Sequence, residues 1–270
     1  MQDLRVTFIQ TNLFWEQKEE NLGHFDRLLD RIEEPTDLIL LPETFNTGFS
    51  INPSASAEPL DGPSMNFLLH QSHEKNAVIM ATLLIQDNTG YYNRLVSIHP
   101  DGAFETYDKR HLFRLSDEYK LLKGGDRKLV VNVKDWKISP VICYDLRFPV
   151  WCRNTFNDGT YSFDLLVCLA NWPASRGHVW KTLLVARAME NQACVAGVNR
   201  IGDDGHGIGH TGDSVALDAK GNVIYSAGLG TEIVQTVTFS AKDLKHYRDS
   251  FPLAEDWDHF TIYVKKTDHG

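Results

Sequence analysis

Short apolar runs recur along the whole chain and predict a series of buried β-strands. Each run is rich in Val, Ile and Leu and has the length of a strand that is covered on both faces. The runs cover residues 4–9, 38–41, 78–85, 129–133, 138–143, 165–170 and 194–198. After the first run, apolar residues spaced three and four apart predict a helix with one face against a sheet. These residues are Leu22, Phe25, Leu28, Leu29 and Ile32.

Two further helices and several hairpins complete the predicted elements. One helix is expected over about 179–192, and another begins at Pro63, because proline suits the first turn of a helix. The segments 87–90 and 101–102 are turn signals between strand-like runs, and similar signals recur near the C-terminus. Antiparallel hairpins must therefore accompany the strand–helix–strand units.

This mixture of elements predicts an α/β fold. Buried strands that belong to strand–helix–strand units and to antiparallel hairpins, with helices between them, favour a four-layer α-β-β-α sandwich with two central mixed β-sheets. No repeat, low-complexity tract or break in composition divides the chain, so residues 1–270 are expected to form a single domain.

Composition and charge narrow the classes of function. Of the 270 residues, 42% are hydrophobic and 23% charged, which is typical of a chain that folds around a sizeable core. The formal net charge of -9 repels phosphate backbones and anionic lipid, so neither nucleic acid nor a membrane is expected as a partner. The N-terminus lacks a signal-like pattern and the four cysteines show no zinc or disulfide spacing, which favours a cytoplasmic protein without a metal site.

Three strand ends carry residues that could perform chemistry. Glu43 follows a hydrophobic strand and a proline, Lys109 follows a hairpin strand, and Cys143 begins a turn after another buried strand. Singly, each fits a capping carboxylate, a solvated lysine or a buried thiol. Together they would supply a base, a cation and a nucleophile, and a cysteine beside a lysine at a helix start would have a lowered pKa.

The motifs around these residues resemble those of the nitrilase (carbon-nitrogen hydrolase) superfamily, and most closely its bacterial omega-amidases. The three segments are 41–43 (LPE), 107–113 (YDKRHLF) and 142–149 (ICYDLRFP). Supporting stretches are 118–120, 170–173 and 186–192. The resemblance covers nearly the whole chain and implies the four-layer sandwich, with no metal or organic cofactor.

The resemblance also implies a role for each matching residue. Glu43 is the general base, Cys143 the nucleophile that forms a thioester, and Lys109 the cation that stabilises the oxyanion. Glu118 matches a second glutamate that orients the substrate or its neighbours, and the backbone N–H of Tyr144 is a second oxyanion donor. Asp145 is expected to pair with Arg147 and hold the turn after the nucleophile.

The acyl side of the substrate is less well defined by the sequence. The resemblance implies 2-oxoglutaramate and 2-oxosuccinamate, whose carboxylate needs a cation or converging N–H donors. Arg176 and His178 are candidates, with an exposed arginine and a helix-capping histidine as the alternative interpretation. Trp172 and Phe45 are expected to wall the pocket, although core packing also fits them. The glycine-rich segment 202–210 is interpreted as a flexible loop outside the chemistry.

Other functions stay open at this stage. A nitrilase, an N-carbamoyl amino acid hydrolase and an amidase for deaminated glutathione would share the same three residues, and a non-catalytic binding member is a further alternative. The resemblance implies a homodimer with a small-molecule amide substrate. The segment 240–270 is too apolar for a free tail and is expected to dock on the partner subunit.

Overall fold

Two six-stranded mixed sheets form the centre of the computed structural model, which describes residues 1–50 and 52–263. In chain order its strands are β1 (Leu4–Gln10), β2 (Leu38–Leu40), β3 (Val78–Asp87), β4 (Gly90–Ile98), β5 (Phe104–Asp108), β6 (Val131–Val133), β7 (Trp136–Ile142), β8 (Phe156–Asn157), β9 (Thr160–Tyr161), β10 (Leu165–Ala170), β11 (Cys194–Asn199), β12 (Ile201–Asp203), β13 (Gly209–Thr211), β14 (Val215–Leu217), β15 (Val223–Ser226) and β16 (Ile233–Phe239).

The helices lie between these strands along the chain. They are α1 (Lys18–Leu29), α2 (Pro53–Ser56), α3 (Pro63–Lys75), α4 (Glu118–Leu121), α5 (Gly177–Asn191) and α6 (Ala241–Ser250). Short 3-10 segments cover Cys143–Arg147, Ala174–Arg176 and Leu253–Asp256. As predicted, α3 starts at Pro63, and it ends where Asn76 adopts a left-handed conformation.

The two sheets repeat one pattern of strand pairing. The first has the order β16-β1-β2-β3-β4-β5, and the second has the order β6-β7-β10-β11-β14-β15. In each, the second, third and fourth strands are parallel neighbours, and the remaining pairs are antiparallel. The ends of β2 and β10 therefore occupy equivalent places in their sheets.

Alternating side chains place each sheet between a partner sheet and a helix layer. On β1, Val6 and Phe8 belong to the core between the sheets, whereas Ile9 packs with Phe25 of α1 and Leu68 of α3. On the far side, α5 packs on β11 of the second sheet. This arrangement is the predicted α-β-β-α sandwich, and its strands are continuous apolar runs because both faces are covered.

The C-terminal helix packs on its own chain. Arg248 of α6 donates hydrogen bonds to Asp164 and to the carbonyl oxygens of Phe163 and Gln192. The docking of 240–270 on a partner subunit stays a prediction, and residues 264–270 of that segment lie outside the described residues. Within the described part of the chain, no helix combines the length and the apolar character needed to span a lipid bilayer.

The contact between α5 and β11 depends on a missing side chain at Gly197. A Cβ atom there would lie 2.6 Å from Leu184 Cδ1 and 2.9 Å from Trp180 Cζ2, closer than real carbon atoms approach. We therefore expect Gly197→Val to lower the free energy of unfolding by about 1 to 3 kcal/mol, as overpacked cores do. Urea denaturation measures this change.

A second variant separates overcrowding from other effects of the valine. Leu184→Ala removes the side chain that would clash, so the double variant should be more stable than the sum of the two single changes allows. Strict additivity would show that crowding between α5 and β11 is not the cause.

Candidate active site

Glu43 is a fully buried carboxylate whose oxygens are held by three donors. It follows β2, where the strand stops at Leu40 and the chain turns at Pro42. Oε1 accepts hydrogen bonds from Asn93 Nδ2 at 2.8 Å and Lys109 Nζ at 2.9 Å, and Oε2 accepts one from the Asn171 backbone N–H at 2.9 Å. These contacts fix the orientation of the carboxylate.

Lys109 follows β5 and lies buried between two glutamates. Its Nζ is 2.9 Å from Glu43 Oε1 and 2.9 Å from Glu118 Oε1. Burial lowers the pKa of Lys109, but the charges of Glu118 and Glu43 outweigh burial and raise that pKa above its ordinary value. The ammonium therefore stays charged. An ammonium has three N–H donors, and here three carboxylate oxygens accept from it: Oε1 of Glu43 and both side-chain oxygens of Glu118.

Glu118 begins α4 and shares two partners, Lys109 and Asn93, with Glu43. Its Oε2 accepts the backbone N–H of Phe113 at 2.6 Å, and its Oε1 lies 3.3 Å from Asn93 Nδ2. Burial raises the pKa of the Glu118 carboxyl, the Lys109 charge opposes that rise, and Glu43 adds to it. The site thus places two carboxylates around one cation.

Cys143 is a half-buried residue at the start of a 3-10 segment, directly after β7. Its backbone is left-handed, with a φ of 42°, a conformation that costs a non-glycine residue about 1 to 3 kcal/mol. Sγ lies 3.9 Å from the carbonyl oxygen of Asn171. Asn171 therefore contacts both the thiol, through its C=O, and Glu43, through its N–H.

The expectation of a lowered thiol pKa is wrong. Burial raises the pKa of Cys143 well above its ordinary value, the charge of Glu43 raises it further, and Lys109 only partly opposes them. The physical reasons are the burial of the thiol, which has the largest effect, and the presence of two carboxylates beside the single lysine. The resting group is a protonated thiol that needs a base, and Glu43 is the adjacent carboxylate.

Asp145 holds the turn after Cys143, but its partners are not the predicted one. It accepts the hydroxyl of Tyr107 at 2.6 Å and both the backbone N–H and the ring of His111 at 2.8 Å. Arg147 instead lies over the Trp172 ring, 4.9 Å from its centroid. Asp145 therefore does not pair with Arg147. It links the turn after Cys143 to the residues on either side of Lys109.

A cavity of about 140 Å³ opens from these groups. Glu43, Lys109, Cys143 and the predicted oxyanion residue Tyr144 line it, as do Trp172 and Arg176. Arg147 and Arg176 both face this cavity, and neither forms an ion pair with any residue in the described ranges. Two cationic side chains are thus available beside the thiol.

Two predicted pocket residues lie elsewhere. Phe45 is fully buried and packs edge-on against Phe25, with ring centroids 5.1 Å apart, in the core beneath α1 and α3. Thr44, between Glu43 and Phe45, has a left-handed backbone, so the side chains of Glu43 and Phe45 point in different directions. His178 is an exposed residue in the first turn of α5. Neither residue contributes to the cavity wall.

The glycine-rich segment 202–210 is a wall of the cavity, which the sequence interpretation missed. Its residues form the hairpin β12–β13, and Asp204, His206, Ile208 and His210 line the cavity. The hairpin is anchored by Trp15, since a Cβ at Gly205 would lie 2.4 Å from the Trp15 indole. Sequence reasoning also missed Asn93. In the sequence it is an ordinary strand residue, and only the pairing of β2 and β4 with β3 brings it next to Glu43.

The chain is similar to known proteins over nearly its whole length. The carbon-nitrogen hydrolase family model matches residues 5–249. Omega-amidase YafV of Yersinia enterocolitica is 42% identical over 262 residues, covering 97% of this chain and 100% of the relative. The 2-oxoglutaramate amidase of Bacillus subtilis is 29% identical over 256 residues, covering 93% and 96%.

A solved structure supports the fold. A CN-hydrolase superfamily protein from Xanthomonas campestris, with an arsenic adduct in its active site, superposes with a TM-score of 0.95 at 41% identity. The match covers 97% of this chain and 100% of the other.

The effect of the Glu43 charge on the pKa of the Cys143 thiol should be measurable. Because that charge raises the pKa of Cys143, Glu43→Gln should lower it and move the pH profile of Cys143 alkylation by iodoacetamide to lower pH. Glu118→Gln should move the profile in the same direction by less, since Glu118 contributes less. Peptide mass spectrometry follows Cys143 separately from the three buried cysteines.

The exposed residue Glu33 offers a matched control, and Glu33→Gln should leave the alkylation profile unchanged. A profile that stays in place, or moves to higher pH, in Glu43→Gln would contradict the electrostatic coupling between these two groups.

Proposed function

The chain belongs to the carbon-nitrogen hydrolase family and is an amidase, and on that premise we propose that it acts on short 2-oxo dicarboxylate monoamides. The substrates are 2-oxoglutaramate and 2-oxosuccinamate, and the products are the 2-oxo acid and ammonia. The observation that carries this proposal is a pair of arginines, Arg147 and Arg176, that line the cavity containing Cys143 and have no ion partner among the described residues. The names of the omega-amidase and 2-oxoglutaramate amidase relatives support it.

Acylation begins at the protonated thiol. Glu43 removes the Sγ proton as the sulfur attacks the amide carbon, which becomes tetrahedral with a negative oxygen. The Lys109 ammonium turns one N–H from its contact with the second Glu118 oxygen to that oxyanion, and the backbone N–H of Tyr144 donates to it as well, a class of contact that is worth about 3 to 4 kcal/mol per donor. Glu43 then returns its proton to the leaving nitrogen, so ammonia departs and a thioester remains.

Deacylation uses the same groups in reverse order. Glu43, now ionised again, takes a proton from water, whose oxygen attacks the thioester carbon. The second tetrahedral oxyanion meets the same donors, and the proton on Glu43 passes to the departing sulfur. Because Asn171 and Lys109 hold the carboxylate in place, its position need not change between the two half-reactions.

Glu118 and Asn93 act through other groups. Both carboxylate oxygens of Glu118 accept from Lys109 Nζ, at 2.9 Å for Oε1 and 3.1 Å for Oε2, and so fix the position of the ammonium. Asn93 donates to both carboxylates and fixes their separation. Neither needs to touch the substrate.

The acyl part of the substrate extends from Cys143 towards the arginines. A guanidinium binds a carboxylate through two parallel N–H donors, which fixes both the position and the direction of the ligand. Arg147 is four residues beyond the nucleophile on the same 3-10 segment, and its stack on Trp172 limits its motion. Arg147 is therefore the residue assigned to the carboxylate, with Arg176 at the rim against Phe113.

Ammonia release tests the proposed function. We expect rapid release from 2-oxoglutaramate and 2-oxosuccinamate, and a fall on the order of 10⁴-fold or more in Cys143→Ala, because the nucleophile is lost. Glutamine, a simple nitrile, an N-carbamoyl amino acid and deaminated glutathione serve as the comparison panel. Greater cysteine-dependent activity on one of these than on the 2-oxo monoamides would assign another substrate to the same site.

Arg147→Met tests the assignment of the carboxylate. Loss of a charged hydrogen-bond partner should raise the KM for 2-oxoglutaramate about 10- to 100-fold, whereas the kinetics on a neutral amide such as butyramide should change little. Arg127→Met is the matched control, because Arg127 is 93% exposed and outside the cavity. If Arg176→Met raised KM and Arg147→Met did not, the carboxylate would belong to Arg176.

A further inference from the structure

His210 is a polar group of the cavity that the proposed mechanism does not use. It lies on β13, is 6% exposed, and lines the same cavity as Cys143. No contact of its Nδ1 has the geometry of a hydrogen bond in the described parts of the chain, although the backbone carbonyls of Gly202 and Ile208 lie near the ring. A buried polar atom without a partner is uncommon in a folded protein, and in a cavity wall it points to a ligand that supplies the partner.

The surroundings of His210 keep its ring neutral. Burial lowers the pKa of His210 to about 4, and the charge of Arg200 acts in the same direction, against weaker opposing effects of Asp204 and of the Gly202 and Ile208 carbonyls. A neutral imidazole has one N–H donor and one acceptor, whichever nitrogen carries the proton. The group can therefore donate a hydrogen bond to a carbonyl oxygen without adding a charge to the cavity.

The hairpin that carries His210 is fixed in place. A Cβ at Gly202 would lie 2.2 Å from Asn12 Oδ1, and one at Gly212 would lie 2.2 Å from the Gln10 side chain, so the backbone packs directly on these two residues. Arg200 Nη2 adds hydrogen bonds to Asn12 Oδ1 and the Asp203 carbonyl, each at 2.9 Å. The His210 ring is thus presented to the cavity by a rigid support.

We propose that His210 determines specificity by donating its ring N–H to the 2-oxo oxygen of the substrate. The inference rests on the proposed function, because it requires the amide at Cys143 and the carboxylate at Arg147. With both ends held, the 2-oxo oxygen is the one acceptor of the substrate that the mechanism leaves without a donor. A site built to bind a carbonyl rejects an analogue without it, since the binding group is then left unpaired.

The test compares two substrates that differ only at this carbonyl. Wild type should prefer 2-oxoglutaramate over glutaramate in kcat/KM. His210→Phe keeps a planar ring without the donor, so kcat/KM should fall about 10- to 100-fold for 2-oxoglutaramate and change less than about twofold for glutaramate. His210→Gln retains an N–H donor and should restore part of the preference.

Two kinetic outcomes would overturn the inference. An equal loss on both substrates would place His210 at the carboxylate or in the support of the site, and an unchanged ratio would show that it does not contact the 2-oxo group. Thermal melting checks that the variants fold, and His210→Ala gives the same comparison if the phenylalanine variant does not.

Binding of the product acids separates this inference from the proposed function. Protection of Cys143 from iodoacetamide is measured with 2-oxoglutarate and with glutarate, in wild type and in His210→Phe. If wild type releases no ammonia from 2-oxoglutaramate, the proposed function fails. A preference for 2-oxoglutarate that disappears in His210→Phe would still support the role of His210, and the absence of any preference would overturn it.

Discussion

The ammonium of Lys109, enclosed between Glu43 and Glu118, is the interaction on which the rest of the site depends. A buried charge is tolerated only when its partners are close and correctly oriented, and loss of one partner leaves an uncompensated charge. Here one cation is paired with two carboxylates, so the three side chains together carry a net negative charge. Together with burial, that charge raises the pKa of the neighbouring Cys143 thiol, and a protonated thiol needs a base beside it.

The sandwich brings these groups together because the strands that carry them end near one another. Glu43 and Lys109 follow strands of the first sheet, whereas Cys143 and Asn171 follow β7 and β10 of the second. Asn171 links the two sheets, because its backbone N–H donates to Glu43 and its carbonyl oxygen contacts the Cys143 thiol. The relative position of the proposed base and nucleophile is therefore set by the packing of the two sheets, whose facing side chains belong to one large buried cluster.

Local sequence features predicted the strand ends well, because a hydrophobic run and its turn residue are neighbours in the chain. Positions that depend on distant contacts were not predictable in this way. Phe45 turns into the core because of the left-handed Thr44, and the hairpin at 202–210 is ordered by Trp15, which is far away in the sequence. The pairing of β16 with β1 likewise joins opposite ends of the sequence.

Several features that weaken a fold are concentrated around this one cavity. Cys143 has a left-handed backbone, Arg147 and Arg176 face the cavity without ion partners in the described residues, and His210 has an unpaired nitrogen. Each is held by a rigid neighbour: the Asp145 network, an aromatic ring or the anchored hairpin. Such costs persist where surrounding packing prevents relaxation, and they are recovered when a ligand supplies the missing partners. The cavity is thus complementary to a molecule with an electrophilic carbon at one end and anionic or carbonyl oxygens at the other.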